Sequence, residues 1–314
     1  MDKILIAVCT YLRPNMLERA FSHIKALKPL NDAIVEVLIV DNDKEQSAKN
    51  VVEKICSQND FPYKIHYKVQ EERGLSPARN KVLQSALELN ADFIACFDDD
   101  DSPDENWLFG LWNFEKSMTE KKGKPVIVTG PAFSKFDKNY PKYITMNFRS
   151  KTTKKTGQLR HTAATGNVLI PAEVIKKGVF FDECYKFMGG EDGEFFQKAQ
   201  TFGFEIYWCN EAVVYENITE EKANIKRILH RYFYNGFSNV FFELKKMDSF
   251  LYRLKISSKA IINITICTIV LPFSLILGRV GLFGVLSSIL KSAGKFWALI
   301  RKEPLNFYQK TIGN

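Results

Sequence analysis

Within the first hundred residues, short apolar runs of strand length alternate with segments whose apolar side chains recur at helical spacing. "ILIAV" at 4–8, "VEVLIV" at 35–40, "YKIHYKV" at 63–69 and "DFIACF" at 92–97 are the strand-like runs. Between them, Pro14 opens a segment carrying Leu17, Phe21, Ile24 and Leu27, and Ser76-Pro77 opens one carrying Val82, Leu83, Ala86, Leu87 and Leu89. Serine suits an N-cap and proline the first turn of a helix. A chain that alternates in this way has few solutions: an α/β fold with a doubly wound, mainly parallel central sheet. Ligands of such sheets bind at the carboxyl ends of the strands. Thr10-Tyr11, Asp41-Asn42 and the run Asp98, Asp99, Asp100, Asp101 all fall at such ends.

The remainder of the chain is less regular. "PVIVTGPAF" at 125–133 reads as one strand, residues 134–163 as a long polar and basic loop, and "GNVLI" at 166–170 as a further strand. A loop, a helix over 192–201, a turn at Gly203 and two strands follow. The six cysteines are scattered without C-x-x-C or zinc spacing, as expected for buried thiols in a reducing compartment. The N-terminus has no long apolar leader and reads directly as the first strand.

Charge divides the chain unevenly. Residues 219–314 hold 15 Lys and Arg against 5 Asp and Glu, a net of +10, which leaves 29 against 31, a net of −2, for residues 1–218. We therefore expect two regions, a nearly neutral body at 1–218 and a basic, apolar, helical extension at 219–314. No nucleic-acid-binding motif accompanies the basic region. Basic and apolar together suit an anionic membrane surface. Residues 260–278 carry no charge over 19 positions, the lower range of a membrane span, though Asn263 and Pro272 weaken that reading. Leu282, Leu286, Ile289, Leu290, Ala293, Phe296, Trp297 and Ile300 fall on one helical face beyond it. Lys245, Lys246, Arg253, Lys255 and Lys259 flank one side, and Lys291, Lys295, Arg301 and Lys302 the other. Positive flanks at both ends suit a re-entrant or interfacial anchor with both ends on the cytoplasmic side. A core-packing helix pair or a dimer interface is the competing reading.

Three groups of side chains could carry chemistry. An aspartate run is most often a solvated loop, but alternation at a strand end aims Asp98 and Asp100 to one side and Asp99 and Asp101 to the other. Hard oxygen ligands of this kind suit Mg²⁺ or Mn²⁺ together with substrate phosphates. Glu191-Asp192, with Glu194, follows Gly189-Gly190. Such residues either complement a helix N-terminus or supply a general base. Arg73, Arg79 and Asn80 lie in and after a glycine turn, where they pair with Glu71 and Glu72 or contact phosphate. The four histidines have no triad partner in sequence.

Taken together in order and spacing, "AVCTYLRPNMLERAFSHI", "EVLIVDND", "ERGLSPARNKVLQSAL", "ADFIACFDDDDSPDENWL" and "GGEDGEFFQKAQTFGFEIYWCNEAVVYE" resemble the inverting glycosyltransferases of family 2, which have the GT-A fold, over residues 4 to 240. "TGNVLIPAEV", "GGEDGEFF" and "RYFYNGFSNV" look most like the succinoglycan-type branch that extends lipid-linked saccharides in bacterial exopolysaccharide and lipopolysaccharide synthesis. The resemblance implies that Thr10, Tyr11 and Asp41 hold the uridine of a UDP-sugar and that Arg79 closes over it, with Arg73 and Asp99 also on the donor side. It implies that Asp98 and Asp100 are the first and last residues of a D-x-D motif, with Asp100 on a Mn²⁺ or Mg²⁺ ion and Asp98 beside it. Asp192 matches the catalytic base and Glu191 a residue binding acceptor hydroxyls. Glu216-Asn217 stands where many members have histidine. "RILHRYFYNG" replaces the Q-x-x-R-W motif of processive synthases, although Arg227 and Arg231 remain within reach of a diphosphate.

The expectation is a metal-dependent hexosyl transfer to a hydroxyl of a polyprenyl-diphosphate-linked saccharide, at the cytoplasmic face of a bacterial inner membrane. The alternatives are a transferase that loads one sugar onto polyprenyl phosphate, and a non-catalytic, membrane-associated nucleotide-sugar-binding module.

Overall fold

The computed structural model describes residues 1–58, 60–301, 303 and 305. Strands β1 (Asp2–Thr10), β2 (Ala33–Asp41), β3 (Lys64–Val69) and β4 (Phe93–Cys96) are joined through helices α1 (Pro14–Lys25), α2 (Lys49–Ser57) and α3 (Leu75–Glu88). The chain continues through β5 (Asp101–Pro103), α4 (Trp107–Lys122), β6 (Ile127–Thr129), β7 (Ala132–Phe136), α5 (Lys142–Thr145), β8 (Leu159–Arg160) and β9 (Val168–Pro171). Then come α6 (Ala172–Lys176), α7 (Glu191–Thr201), β10 (Ile206–Trp208), β11 (Val214–Ile218) and the helices α8 (Ile225–Lys246), α9 (Phe250–Ser274) and α10 (Gly278–Ile300).

Eight strands form the main sheet in the order β3-β2-β1-β4-β9-β6-β10-β8, and β5-β11-β7 form a small second sheet. β1 runs parallel to β2 and β4, β2 to β3, and β6 to β10, whereas β9 is antiparallel to both β4 and β6. The sheet is thus the mainly parallel, doubly wound one that the strand–helix alternation predicts. Its central strands are buried on both faces, so Ile4, Ile6 and Val8 pack with α1 and α4 while Leu5 and Ala7 pack with α3 and α7. Burial of each such side chain contributes roughly 1.5–3 kcal/mol.

Three local expectations change. The run 125–133 is two strands in different sheets, β6 and β7, broken at Gly130-Pro131. A Cβ on Gly130 would stand 2.0 Å from the Ala212 carbonyl oxygen, so only glycine allows the chain to turn there. The long loop at 134–163 contains the end of β7 as well as α5 and β8. Helix α3 begins two residues early. Gly74, at φ 152°, occupies the cap position and Ser76 lies inside the helix with its hydroxyl buried and unpartnered.

The tail is not detached from the body. α8 packs Tyr234, Phe237 and Val240 with Tyr185 and Met188, and Ile228 joins Ile144 and Ile218. Helices α8 and α10 touch backbone to backbone, since a Cβ on Gly236 or Gly294 would meet the carbonyl oxygens of Lys291 or Phe233. Asn263, which counts against a membrane segment when read alone, donates to the hydroxyls of Ser288 at 3.0 Å and Ser292 at 2.8 Å in α10. The buried side of α10 is Phe283, Ser287, Ser292, Gly294 and Ala298, while Phe296, Trp297 and Ile300 of the predicted apolar face are exposed. Phe283 apart, small residues inside and large apolar residues outside reverse the pattern of a water-soluble core. Ile269, Phe273, Leu275, Ile276 and Leu277 project at the α9–α10 turn, with Ile276 83% exposed. The stretch Phe250–Ile300 is long and apolar enough to cross a membrane by length and composition. Lys302 lies outside the described residues.

Candidate active site

A cleft of about 670 Å³ opens over the carboxyl ends of β1, β2 and β4. Thr10 pairs with Asp41 in the parallel register, and the Asn42 and Gln70 amides continue the ladder onto the Thr10 and Asp41 carbonyls at 2.8 Å each. These bonds carry the chain ends to one level. Asn42 then fixes the loop before α3: its amide donates to the Gln70 and Glu72 carbonyls and its oxygen accepts the Gly74 N–H at 2.7 Å. Arg73 on that loop lies 4.3 Å over the Tyr11 ring.

The aspartate run does not continue as a strand. β4 stops at Cys96, and the Asp101 N–H donates to the Asp98 carbonyl at 3.0 Å, closing a turn. The expected alternation of side chains is therefore replaced. Asp99 accepts from Thr10 Oγ1 at 2.7 Å and from Arg13 at 2.9 Å. Asp100 pairs with Lys222 at 2.9 Å and, more distantly, with Arg13 at 3.8 Å. Asp98 and Asp101 both approach Gly166, where a Cβ would lie 2.9 Å from Asp98 Oδ2 and 3.7 Å from Asp101 Oδ2. Desolvation within the cleft, strongest at the buried Asp99 and Asp101 and weaker at the half-exposed Asp98, and neighbouring carboxylates push all three upward, with Arg13, Lys222 and Arg79 respectively opposing. Burial acts the same way on Asp100, but Lys222 and Arg13 outweigh it and hold that carboxyl low.

Across the cleft, Gly189 and Gly190 adopt left-handed φ values of 77° and 92° and deliver Glu191 and Asp192 as the first residues of α7. Asp192 accepts from the Thr165 hydroxyl at 3.0 Å and the Thr165 N–H at 3.2 Å. Arg79 joins the two acidic groups: it pairs with Glu191, reaches Asp192 at 3.2 Å, and stands 4.0 Å from Asp98. Burial opposes its charge, but Asp192, Glu191 and Asp98 together raise its pKa. Burial raises Glu191, with Arg79 opposing.

The donor set fits a divalent cation of the hard type. Four adjacent carboxylates meet Arg13 and Lys222 at close range and Arg79 at 4.0 Å from Asp98, and among the described residues no lysine or arginine pairs with Asp101. Among the described residues no three His, Cys, Asp or Glu side chains converge as a complete cage. One or two protein carboxylates, with the rest supplied by substrate phosphates and water, is the usual pattern for Mg²⁺ and Mn²⁺.

The model of glycosyl transferase family 2 matches residues 5–179, more than half of the chain. The chain belongs to glycosyl transferase family 2. The transferase is 29% identical over 234 residues to the succinoglycan biosynthesis protein ExoM of Rhizobium meliloti, covering 74% of this chain and 72% of that protein. Its fold is similar to that of the S. aureus TarS fragment 1-349 in complex with UDP-GlcNAc, at TM-score 0.54 and 14% identity, covering 94% of this chain and 90% of that one. It is also similar to the mannosyltransferase PcManGT from Pyrobaculum calidifontis, solved with GDP-Man and Mn²⁺, at TM-score 0.54 and 13% identity. That match covers 78% of this chain and 65% of that protein. The chain is a glycosyltransferase with the GT-A fold.

Within the transferase cleft stand Thr10, Tyr11, Arg73, Arg79, all four aspartates, Glu191, Asp192 and Arg231. Asp41 does not reach it. Its side chain is fully buried, and its oxygens accept from Tyr67, the Ala48 N–H and the Asp43 N–H; the cleft wall at this point is Asn42. Arg79, expected to close over the nucleotide, instead bridges the two acidic groups. Arg231 donates to the Asn147 carbonyl at 3.1 Å and lies 5.2 Å over Phe148. Arg13, Lys222 and Gly166 are cleft residues that sequence reasoning did not single out. Arg13 was accessible in principle, two residues past Tyr11. Lys222 was not, because only the pairing of β11 with β5 brings its segment back to the aspartates.

Proposed function

We propose that the enzyme transfers a sugar from a UDP-sugar, with inversion at the anomeric carbon, to a hydroxyl of a lipid-linked saccharide during synthesis of a bacterial surface polysaccharide. The observation that carries this reading is Arg79, which ties the aspartate cluster after β4 to the Glu191–Asp192 pair opening α7 within one cleft. Donor and base chemistry then meet across a single side chain.

In this reading Tyr11, with Arg73 over its ring, and Thr10 border the nucleotide, and Arg73 and Arg231 face its phosphates. Asp192, oriented by two hydrogen bonds from Thr165, takes the proton of the acceptor hydroxyl as that oxygen attacks in line. Glu191 positions acceptor hydroxyls beside it. A Mn²⁺ or Mg²⁺ ion, held through Asp98 and Asp100, supplies neutralising charge for the departing diphosphate when bound. Arg13 and Lys222 already hold positive charge at the same place. ExoM supports the exopolysaccharide context, and the UDP-GlcNAc and Mn²⁺ complexes of the structural neighbours support the donor class and the ion.

The α9–α10 hairpin supports attachment to the cytoplasmic face of the inner membrane. Its apolar turn is exposed, and Lys255 and Lys259 on α9 and Lys291 and Lys295 on α10 place positive charge on both arms. Because Lys222, Arg227 and Arg231 line the cleft, the functional catalytic unit extends past residue 218 into α8.

The test is Asp192→Asn in the full chain. Transfer should fall by about 10²–10⁴-fold, the range for loss of a general base, while UDP-sugar affinity stays unchanged. Joint loss of binding and transfer would make Asp192 a donor-side or structural residue.

A further inference from the structure

The cleft is acidic on its β4 and α7 side and basic at its other end. We propose that Lys154 and Arg160, beside Trp208 at the β8–β10 edge, together with Arg149 opposite Ser134 of β7, form a subsite for an anionic group of the acceptor, a carboxylate or a phosphate. This deepens the proposed function and rests on its division of the cleft into donor and acceptor halves.

All three cations line the cleft. Lys154 Nζ stands 3.9 Å from the Trp208 ring centroid and the Arg160 guanidinium 6.0 Å from it. Among the described residues, no Asp or Glu forms an ion pair with any of the three, and Arg160 Nε is buried without a hydrogen-bond partner. The cluster is built rather than a solvated fringe. Asn210 holds it from below, accepting from Trp208 Nε1 at 2.8 Å and donating to the Lys154 carbonyl at 3.0 Å. The Gly157 and Trp208 amides bond across to Trp208 and Gln158, and Arg149 is pinned to Ser134 of β7. Burial, together with the charges of Arg160 and Arg149, lowers the Lys154 ammonium. Like charges held close together are stabilised by an arriving anion.

Sheet order gives the cluster its role. β8 and β10 end the sheet opposite β3, β2 and β1, whose carboxyl ends border the nucleotide in the proposed reading. From Arg160 the chain runs along the cleft wall through Thr162, Ala163 and Ala164 to Thr165, the residue that orients Asp192. An anion seated here belongs to the molecule on the base's side of the reaction.

The experiment titrates the full-length enzyme by calorimetry with pyrophosphate and with methyl glucuronide, in the presence and absence of saturating UDP and Mn²⁺. At least one anion should bind the UDP-loaded enzyme, and Lys154→Gln/Arg160→Gln should weaken it at least tenfold with UDP affinity unchanged. Arg149→Gln, an exposed change, should weaken the same anion about threefold and serves if the double variant misfolds. Pyrophosphate alone would assign the subsite to a carrier phosphate, and glucuronide alone to an acidic acceptor sugar. Equal affinity in wild type and variants, or no anion binding at all, overturns the subsite. If UDP fails to bind while the variants still lose the anion, the donor assignment falls and the subsite stands.

Discussion

Replacing Arg79 with methionine removes the one cation that, among the described residues, joins both acidic groups of the cleft. The side chain is 14% exposed and its partners differ in burial, so the three contacts are unequal. Asp98 is 52% exposed and 4.0 Å away, and a contact of that kind contributes on the order of 0–1 kcal/mol. Asp192 keeps its two hydrogen bonds from Thr165 after the change. Glu191 bears most of the cost: its side chain is 5% exposed and its second oxygen lacks a partner even with Arg79 in place. Removing one member of a buried pair costs about 3–5 kcal/mol, and the partial exposure of the other partners favours the lower end, about 3 kcal/mol. For a body of this size that lowers Tm by roughly 6–12 °C. Differential scanning calorimetry of the detergent-solubilised chain measures it. Adding Glu191→Gln should recover part of the loss, because it removes the stranded charge. A Tm within about 2 °C of wild type, or a double variant as unstable as the two single changes summed, would refute the claim that Arg79 neutralises a buried carboxylate.

Gly166→Ala should leave the fold intact but displace the Asp98 carboxylate, because the new Cβ would lie 2.9 Å from its Oδ2; the expected result is Mn²⁺-dependent UDP affinity reduced several-fold with Tm little changed. Burial alone would raise Glu36, but the His66 hydrogen bond at 2.8 Å and Lys3 outweigh it, so its folded pKa is lowered. That stability is present above the unfolded carboxylate value of about 4.3 and is lost as pH falls through the lower folded value, so the stability gap between wild type and Glu36→Gln, about 1–2 kcal/mol at neutral pH, should narrow progressively as pH falls below about 4.3 in thermal melts. Phe273→Asp/Ile276→Asp places two charges on the exposed hairpin turn, and vesicle flotation should be lost while UDP binding in detergent is unchanged. Undiminished flotation would remove the turn from the membrane contact.

The sequence alone determines the parts of this enzyme that depend on local pattern. Apolar runs of strand length alternating with helical periodicity specify a doubly wound sheet, because each element has one way to bury its face. The carboxyl ends of those strands then mark the cleft, so Thr10, Tyr11 and the aspartates are legible without coordinates, whereas Arg73, Glu191 and Asp192 come from the resemblance of their motifs to the family. What the tertiary structure decides is where side chains point once the pattern stops. The turn that begins at Asp98 cancels the alternation expected along the run, sending Asp99 to Thr10 and Arg13, Asp100 to Lys222, and Asp98 and Asp101 to Gly166. Asp41 sits at the right strand end but faces inward, where Tyr67 and backbone amides consume its oxygens. Arg79 becomes a bridge because helix α3 and helix α7 meet there, a contact between residues 112 positions apart. Asn263 is satisfied by two serines only when α9 and α10 fold together. Pattern fixes the buried faces of the central sheet, but α10 turns its small residues inward, and only long-range packing fixes which charged and polar groups meet in the cleft.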